Sequence, residues 1–362
     1  MVPTRRSDMT STLHLTLRST LHSTLRPGRP PRPLWWIAAV LFWALASAAP
    51  QARAQTFKDP ALEALFAAEK TDDLQRAALQ RLSTQADDAQ AVLALVLVAL
   101  QKDDAPARVK ALERAQACAE KFPQSAPCQY GYGVLLALQA MSEGMVKAAR
   151  TAGAVKAALS AAHDADPAWY PARSALMEFY LVAPGFMGGS TSKAVELART
   201  AAKPEQVTAL QGRLAMQDRK FDVALNAFAA LSPAIDPALK PDLRGWSMQA
   251  GLGAVSTGQA AKAQGAFERL ARERPNHADG VYGLARVRGE LGDWAESLRL
   301  YERASTLQGA VNWPVAYRMG IALQQLGRVD EAKAAFQRFV AAGKGQKQSL
   351  EDARKRLEQL GG

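Results

Sequence analysis

From about Pro60 to the C-terminus, apolar residues recur three and four positions apart among alanine, glutamine and charged side chains. That spacing predicts helix almost throughout and no convincing strand. Val92 to Leu100 is rich enough in valine to suggest a strand, but the helical pattern continues on both sides of it. It fits the buried first helix of a pair. A second, longer period overlies the first. Gly258 is followed 34 residues later by Gly292; Ala263 and Phe267 trail the former by five and nine residues, and Ser297 and Tyr301 trail the latter at the same offsets. Ala332 and Phe336 repeat the offsets after Gly327. A period of this length marks stacked helix pairs, none of which buries its apolar face without a neighbour. Helix pairs are expected at about residues 89–121, 205–231, 244–273, 278–306 and 313–342.

This layout resembles the tetratricopeptide repeat. Gly251, Gly258, Ala263, Phe267 and Pro275 stand at that family's small, turn, alanine, aromatic and closing positions in one unit. Leu284, Gly292, Tyr301 and Ala304 do so in the next, and Gly320, Gly327, Ala332 and Phe336 in a third. Gly212, Phe221, Ala224 and Phe228 fit less tightly, and Ala99, Ala111, Ala115 and Pro123 fit a unit without the turn glycine. The resemblance implies an all-α, right-handed superhelical solenoid of antiparallel helix pairs, with about six or seven repeats. Leu350, Leu357 and Leu360 share one face of a C-terminal amphipathic helix, which would cap the open end.

The period breaks between residues 126 and 203. A helix from Cys128 to Met141 is followed by a lengthened basic and alanine-rich helix to about Ala162, then by Asp166-Pro167, a helix from Trp169 to Leu181, and the loop Ala183-Pro-Gly-Phe-Met-Gly-Gly-Ser190. Ser190-Thr-Ser192 supplies an N-cap for the next helix. The Gly188-Gly189-Ser190 turn reads as a tight turn with a serine cap, with an anion site as the rival. Phe186 and Met187, at the loop tip, are expected to fold back as a staple, with partner docking as the rival. The long helix together with residues 179–194 resembles a group of exported proteobacterial tetratricopeptide-repeat proteins. The organisation expected is therefore a leader at 1–54, N-terminal repeats at 55–125, irregular repeats at 126–203, a regular array at 204–343 and a cap at 344–362.

Charge and address come from the leader. Seven arginines against Asp8 give residues 1–54 a net +6 of the chain's +11, leaving +5 on the rest. So small a surplus, with no aromatic-interleaved basic stripe, argues against nucleic acid as a partner. Leu34 to Ala49 is an uncharged apolar run of 16 residues behind arginines and prolines, the grammar of a secretory signal peptide. It is shorter than a comfortable membrane span, which needs roughly 20 residues. Ala52-Arg53-Ala54 fits a cleavage site before Gln55, with Ala46-Ser47-Ala48 as the rival cut and an uncleaved anchor as the rival fate. The expectation is a periplasmic protein with no membrane span in its mature form.

Cys118 and Cys128 flank Phe122-Pro123. Ten residues apart on either side of a turn, in an exported chain, they are expected to form a disulfide stabilising by roughly 2 to 3 kcal/mol; two inert thiols are the rival. Catalytic and cofactor signals are absent. Neither a nucleophile elbow, a Walker loop nor an HExxH helix occurs. His163 beside Asp164 and Asp166, and His277 after Pro275-Asn276, read as repeat-closing turns, with no metal site and no cofactor.

What remains is surface. By the resemblance, the first helix of each pair lines a concave groove, and the positions carried over onto it are Tyr132, Arg213, Met216, Gln217, Tyr282, Arg286, Glu290, Tyr317, Gln324 and Gln325; Arg173 and Tyr180 join them from the irregular region. Tyrosine and arginine suit contact surfaces because each combines area with directional hydrogen bonding; packing between helices is the rival for the tyrosines. The expected function is a non-catalytic adaptor that binds a protein or extended peptide in the groove. The alternative is a carrier that holds a small molecule or lipid inside the superhelix.

Overall fold

Capping chemistry sets where many of the helices begin. Asp59, Asp88 and Asp104 each turn a side-chain oxygen back onto the free amides of the first turn, and Asp293 does the same further along. The computed structural model describes residues 55–102, 104–231 and 236–361. Those residues form seventeen α-helices and no strand. The first two are α1 (Pro60–Ala67) and α2 (Thr71–Thr84). Seven further pairs follow in order: α3 (Ala89–Gln101) with α4 (Ala105–Lys121), α5 (Ala126–Ser142) with α6 (Met145–Ala165), and α7 (Tyr170–Val182) with α8 (Thr191–Arg199). Next come α9 (Pro204–Gln217) with α10 (Phe221–Ala229), α11 (Lys240–Ser256) with α12 (Ala260–Glu273), α13 (Ala278–Glu290) with α14 (Trp294–Ser305), and α15 (Val315–Gln325) with α16 (Val329–Ala342). The last helix, α17 (Lys347–Gln359), closes the array.

The periodic glycines sit where the chain reverses between the two helices of a pair. Gly258, Gly292 and Gly327 have φ of 72°, 83° and 73°, a left-handed conformation that costs a side chain 1–2 kcal/mol. Arg219, between α9 and α10, and Glu69, between α1 and α2, adopt the same conformation without being glycine. The turn geometry of the repeat therefore extends to the first helix pair, where the sequence offers no glycine to mark it.

The aromatic position fills the wedge between neighbours. Phe267 of α12 is fully buried between Gly251 of α11 and Gly283 of α13; a Cβ added at Gly283 would lie 2.1 Å from the ring. Phe228 faces Gly212, and Phe336 faces Gly320, in the same way. Small residues let the helix backbones approach, and the ring fills what remains. At the far end Leu350 and Leu357 of α17 and Leu360 just past it pack on the last apolar cluster, with Ala353 buried in it. The cap forms on the face that the sequence indicates.

Cys118 near the end of α4 and Cys128 in the first turn of α5 form a disulfide, with Cα atoms 5.3 Å apart. The N-terminal segment folds back into the superhelix. Trp169 Nε1 donates to the carbonyls of Gln55 (3.2 Å) and Thr56 (3.1 Å), Phe57 is fully buried, and Lys58 pairs with Asp166 at 3.1 Å. Glu69, just past α1, pairs with Arg244 of α11 and Arg274 at the end of α12. One short helix thus ties the first repeats to the middle of the array.

Candidate functional site

Helices α3, α5, α6 and α7, the start of α11 and Phe66 of α1 enclose a chamber of about 660 Å³. That lies within the 300–1,000 Å³ usual for small-molecule sites. The irregular region provides most of its wall. Its apolar lining combines short side chains, Ala137, Ala140, Ala148, Ala152 and Ala175, with Val134, Val155, Leu159 and Phe179. The chamber opens between the α5–α6 turn and the end of α7. Three of its lining residues there, Met141, Met145 and Val182, are 64%, 67% and 59% exposed.

The opposite end is polar. Tyr170, Ser174 and Glu178 recur every four residues on α7 and so share one face of it. Asp242, in the first turn of α11, meets that face: Tyr170 Oη donates to Asp242 Oδ2 at 2.8 Å, and Ser174 Oγ donates to the same oxygen. Glu178 is bound in bidentate fashion by Arg213 of α9 at 2.6 and 2.8 Å and accepts from Trp246 Nε1 at 3.0 Å. One carboxylate of the pair is thus compensated by a cation and the other is not. Burial, the largest influence, pushes the Asp242 carboxyl up to about 6; the hydrogen bonds from Ser174 and Tyr170 oppose it, the Glu178 charge reinforces it and Arg213 opposes it. Burial likewise raises the Tyr130 and Tyr170 hydroxyls, with the Asp242 charge adding to it. Tyr130 of α5 lines the chamber, packs edge-on against Trp169 at 5.2 Å, and its hydroxyl makes no hydrogen bond among the described residues.

Residues 315–342 match the family model of the tetratricopeptide repeat. Two solved structures share the architecture. The APC/C hetero-tetramer Cut9-Hcn1 aligns with a TM-score of 0.51 at 13% identity, over 82% of this chain and 54% of that one. The human IFIT1 dimer with PPP-AAAA aligns with a TM-score of 0.51 at 14% identity, over 80% and 68%. The array has the fold of these tetratricopeptide-like solenoids, stacked antiparallel helix pairs. A tetratricopeptide repeat protein from Parabacteroides merdae aligns with a TM-score of 0.42 at 15% identity, over 74% of this chain and 98% of that one. The protein CTR9 homolog of Arabidopsis thaliana is 35% identical over 88 residues, which is 24% of this chain but 8% of that protein. The chain thus spans a small part of that curated relative and about half to two thirds of the two aligned structures.

In this helix-pair solenoid five of the twelve positions expected to line an open groove are buried, four are half-buried and three are exposed. Tyr282, only 2% exposed, is stacked on Trp313 at 4.9 Å and tilted against Tyr301. Tyr317 is buried under α17 and donates to Asp352 at 2.8 Å; Gln324, half-buried, accepts from Arg356 of the same cap. Arg173 is buried and donates to the carbonyls of Leu197 (2.7 Å) and Pro167 (3.0 Å), pinning α7 to the end of α8. Tyr180 is buried with Lys193 Nζ 5.6 Å above its ring, and Arg213 is held by Glu178. The expected exposure is corrected for these five buried side chains, because tight superhelical curvature and the terminal cap bring apolar and paired groups over them. Tyr132, Met216 and Arg286 are half-buried, whereas Gln217, Glu290 and Gln325 are exposed. Of the whole set, only Arg213 joins the chamber's polar end, through Glu178.

The loop expectation is also corrected. Phe186 does not fold back but stands 84% exposed beside the chamber mouth, while Met187 turns inward to line it. The Ser190 cap forms, its hydroxyl accepting from Lys193 N at 3.4 Å. His163 lies in the last turn of α6 and His277 beside Arg274, and burial lowers the pKa of both. No group of three or more His, Cys, Asp and Glu with metal-binding geometry occurs among the described residues, and no helix there is long and apolar enough to cross a membrane. The leader, residues 1–54, lies outside the described residues.

Asp242, Tyr130, Tyr170, Ser174 and Glu178 were not legible as a site in the sequence. One signal was present: the Tyr170, Ser174, Glu178 spacing draws a polar stripe along an otherwise apolar helix.

Proposed function

We propose that this chain is an exported, non-catalytic tetratricopeptide-repeat scaffold whose guest is a small apolar molecule or lipid held in the chamber. The observation that supports this carrier reading best is the chamber itself, about 660 Å³ with alanine-rich apolar walls, a few convergent polar groups and an open mouth. The buried state of Tyr282, Tyr317, Arg173, Tyr180 and Arg213 weighs in the same direction, since it removes much of the surface that an extended peptide would read. A protein-adaptor role is the second reading, and the exposed apolar rim formed by Phe186, Val182, Met141 and Met145 favours it. A docking partner would cover that rim and receive or deliver the guest. The address rests on the leader, with cleavage before Gln55 and release into the periplasm.

The test is direct. Mature protein is titrated with N-phenyl-1-naphthylamine, an uncharged dye that brightens in apolar sites, alongside an Ala148→Trp variant whose indole occupies the chamber. Saturable brightening that the variant loses is the expected result. Equal brightening in both proteins, or none in either, overturns the carrier reading. Intact-mass analysis of exported protein checks the address, and a mass that retains residues 1–54 overturns the cleavage.

A further inference from the structure

The chamber's polar end is asymmetric in charge. Glu178 has Arg213 against both its oxygens at 2.6 and 2.8 Å, so its charge is spent within the protein. Asp242 has no cation bonded to it. Its Oδ2 takes both protein donors, Tyr170 and Ser174, and the residue is half-buried and lines the chamber. Beside it, the Tyr130 hydroxyl also has no bonded partner among the described residues. A buried carboxylate is costly unless a cation or hydrogen-bond donors satisfy it. Two donors on one oxygen leave the other oxygen for a guest.

We propose that Asp242 makes the chamber select single-chain amphiphiles whose head donates hydrogen bonds and carries no negative charge, amines foremost, and reject those with an anionic head. The inference rests on the carrier reading above. The alkyl chain lies along Ala148, Ala175 and Phe179 toward the mouth, and the head group reaches Asp242 with Tyr130 as a second contact. An ammonium head supplies the cation that Asp242 lacks, whereas a carboxylate head would place two like charges together in a site of low dielectric. The groups that face Asp242 from neighbouring helices are Tyr130 of α5, Tyr170 and Glu178 of α7 and Arg213 of α9. The two phenols stay protonated throughout the neutral range, because burial raises both. Charge selection therefore follows the ionisation of Asp242, present above about pH 6 and fading below it.

Dodecylamine, 1-dodecanol and dodecanoate, each below its micellar concentration, are competed against the bound naphthylamine dye in wild-type and Asp242→Asn protein. At about pH 8 the wild type is expected to bind dodecylamine at least roughly tenfold more tightly than dodecanoate, with dodecanol between them. The ratio shrinks as the pH is lowered to about 5, and in Asp242→Asn it is near unity at both pH values. Equal affinities, a preference for dodecanoate, or an amine preference that survives in Asp242→Asn would each overturn the head-group selection while leaving the carrier reading intact. Should neither the dye nor any amphiphile bind, both fall. If the Asn variant fails to fold, the wild-type pH series decides through dodecylamine against dodecanol, neither of which changes charge in this range: a ratio that does not change between the two pH values overturns the role of Asp242.

Discussion

The two halves of the solenoid solve the same packing problem in opposite ways. In the regular array, Phe267 fills the space between Gly251 and Gly283, and Phe336 fills that beside Gly320, so that the wedge between neighbouring pairs is solid. In the irregular region Leu159 closes on Gly133 in a similar way, but beside it α5, α6 and α7 line an open chamber with several alanines. Close approach of backbones and a buried ring make a structural unit; lengthened helices with short side chains make a container. Departure from the period therefore coincides with the chamber, and adherence to it with solid packing.

The largest expected effect breaks the regular half. Phe267→Ala should destabilise by about 3–5 kcal/mol, because the ring contacts two helices and its loss leaves a void. Ala175→Leu in the chamber wall adds volume where there is space to receive it, and its effect on stability should be under about 1 kcal/mol. Urea unfolding of both variants tests the contrast, and a similar loss in each would erase the distinction between the halves. The next effect concerns the staple that holds α4 to α5 just ahead of the irregular region. A Cys118→Ser/Cys128→Ser double variant should lose roughly 2 to 3 kcal/mol, read as a lower denaturation midpoint, with reductant lowering the wild type equally.

A comparable effect belongs to Asp242. Its carboxyl holds a proton up to about pH 6 in the folded protein, against 3.8 as the ordinary value, so the folded state binds more protons across that window. Stability from this group is full below about pH 3.8 and is lost as the pH rises through about 6, an amount on the order of 3 kcal/mol. Asp242→Asn should flatten this slope between about pH 4 and 7 in the ligand-free protein. Denaturation midpoints across that range provide the measurement. The smallest effect tests the turn: Arg219→Gly should gain about 1 kcal/mol by relieving a left-handed conformation that Gly258, Gly292 and Gly327 occupy without strain. A loss on thermal melting would show that the Arg219 side chain makes a compensating contact.

Much of the fold was legible because repeats are local. The 34-residue period placed Gly258, Gly292 and Gly327 at their turns, the aromatics at their wedges and the leucines of α17 on the inner face of the cap. The proximity of Cys118 and Cys128 has the same local origin, since one short turn joins them. The concave-surface residues were not. Tyr282 was read from its position in a helix, yet Trp313, a residue of the segment between two repeats, covers it. Tyr317 was read as groove, but Asp352 of the cap lies over it. Helical phase tells which way a side chain points, and not what arrives from elsewhere in the chain to meet it.

By itself the sequence determined the local unit: helix after helix, turn after turn, small residue against aromatic, each decided by interactions within about one repeat length. The tertiary structure alone decided that residues 55–69 fold back to Trp169, Arg244 and Arg274, and that Tyr130, Tyr170, Ser174, Glu178 and Asp242 gather at one end of an apolar chamber. The physical reason is superhelical curvature. Small rotations between successive pairs add up over the array, and their sum, which no single repeat encodes, brings α7 and α11 together and sets Asp242 against the polar stripe of α7.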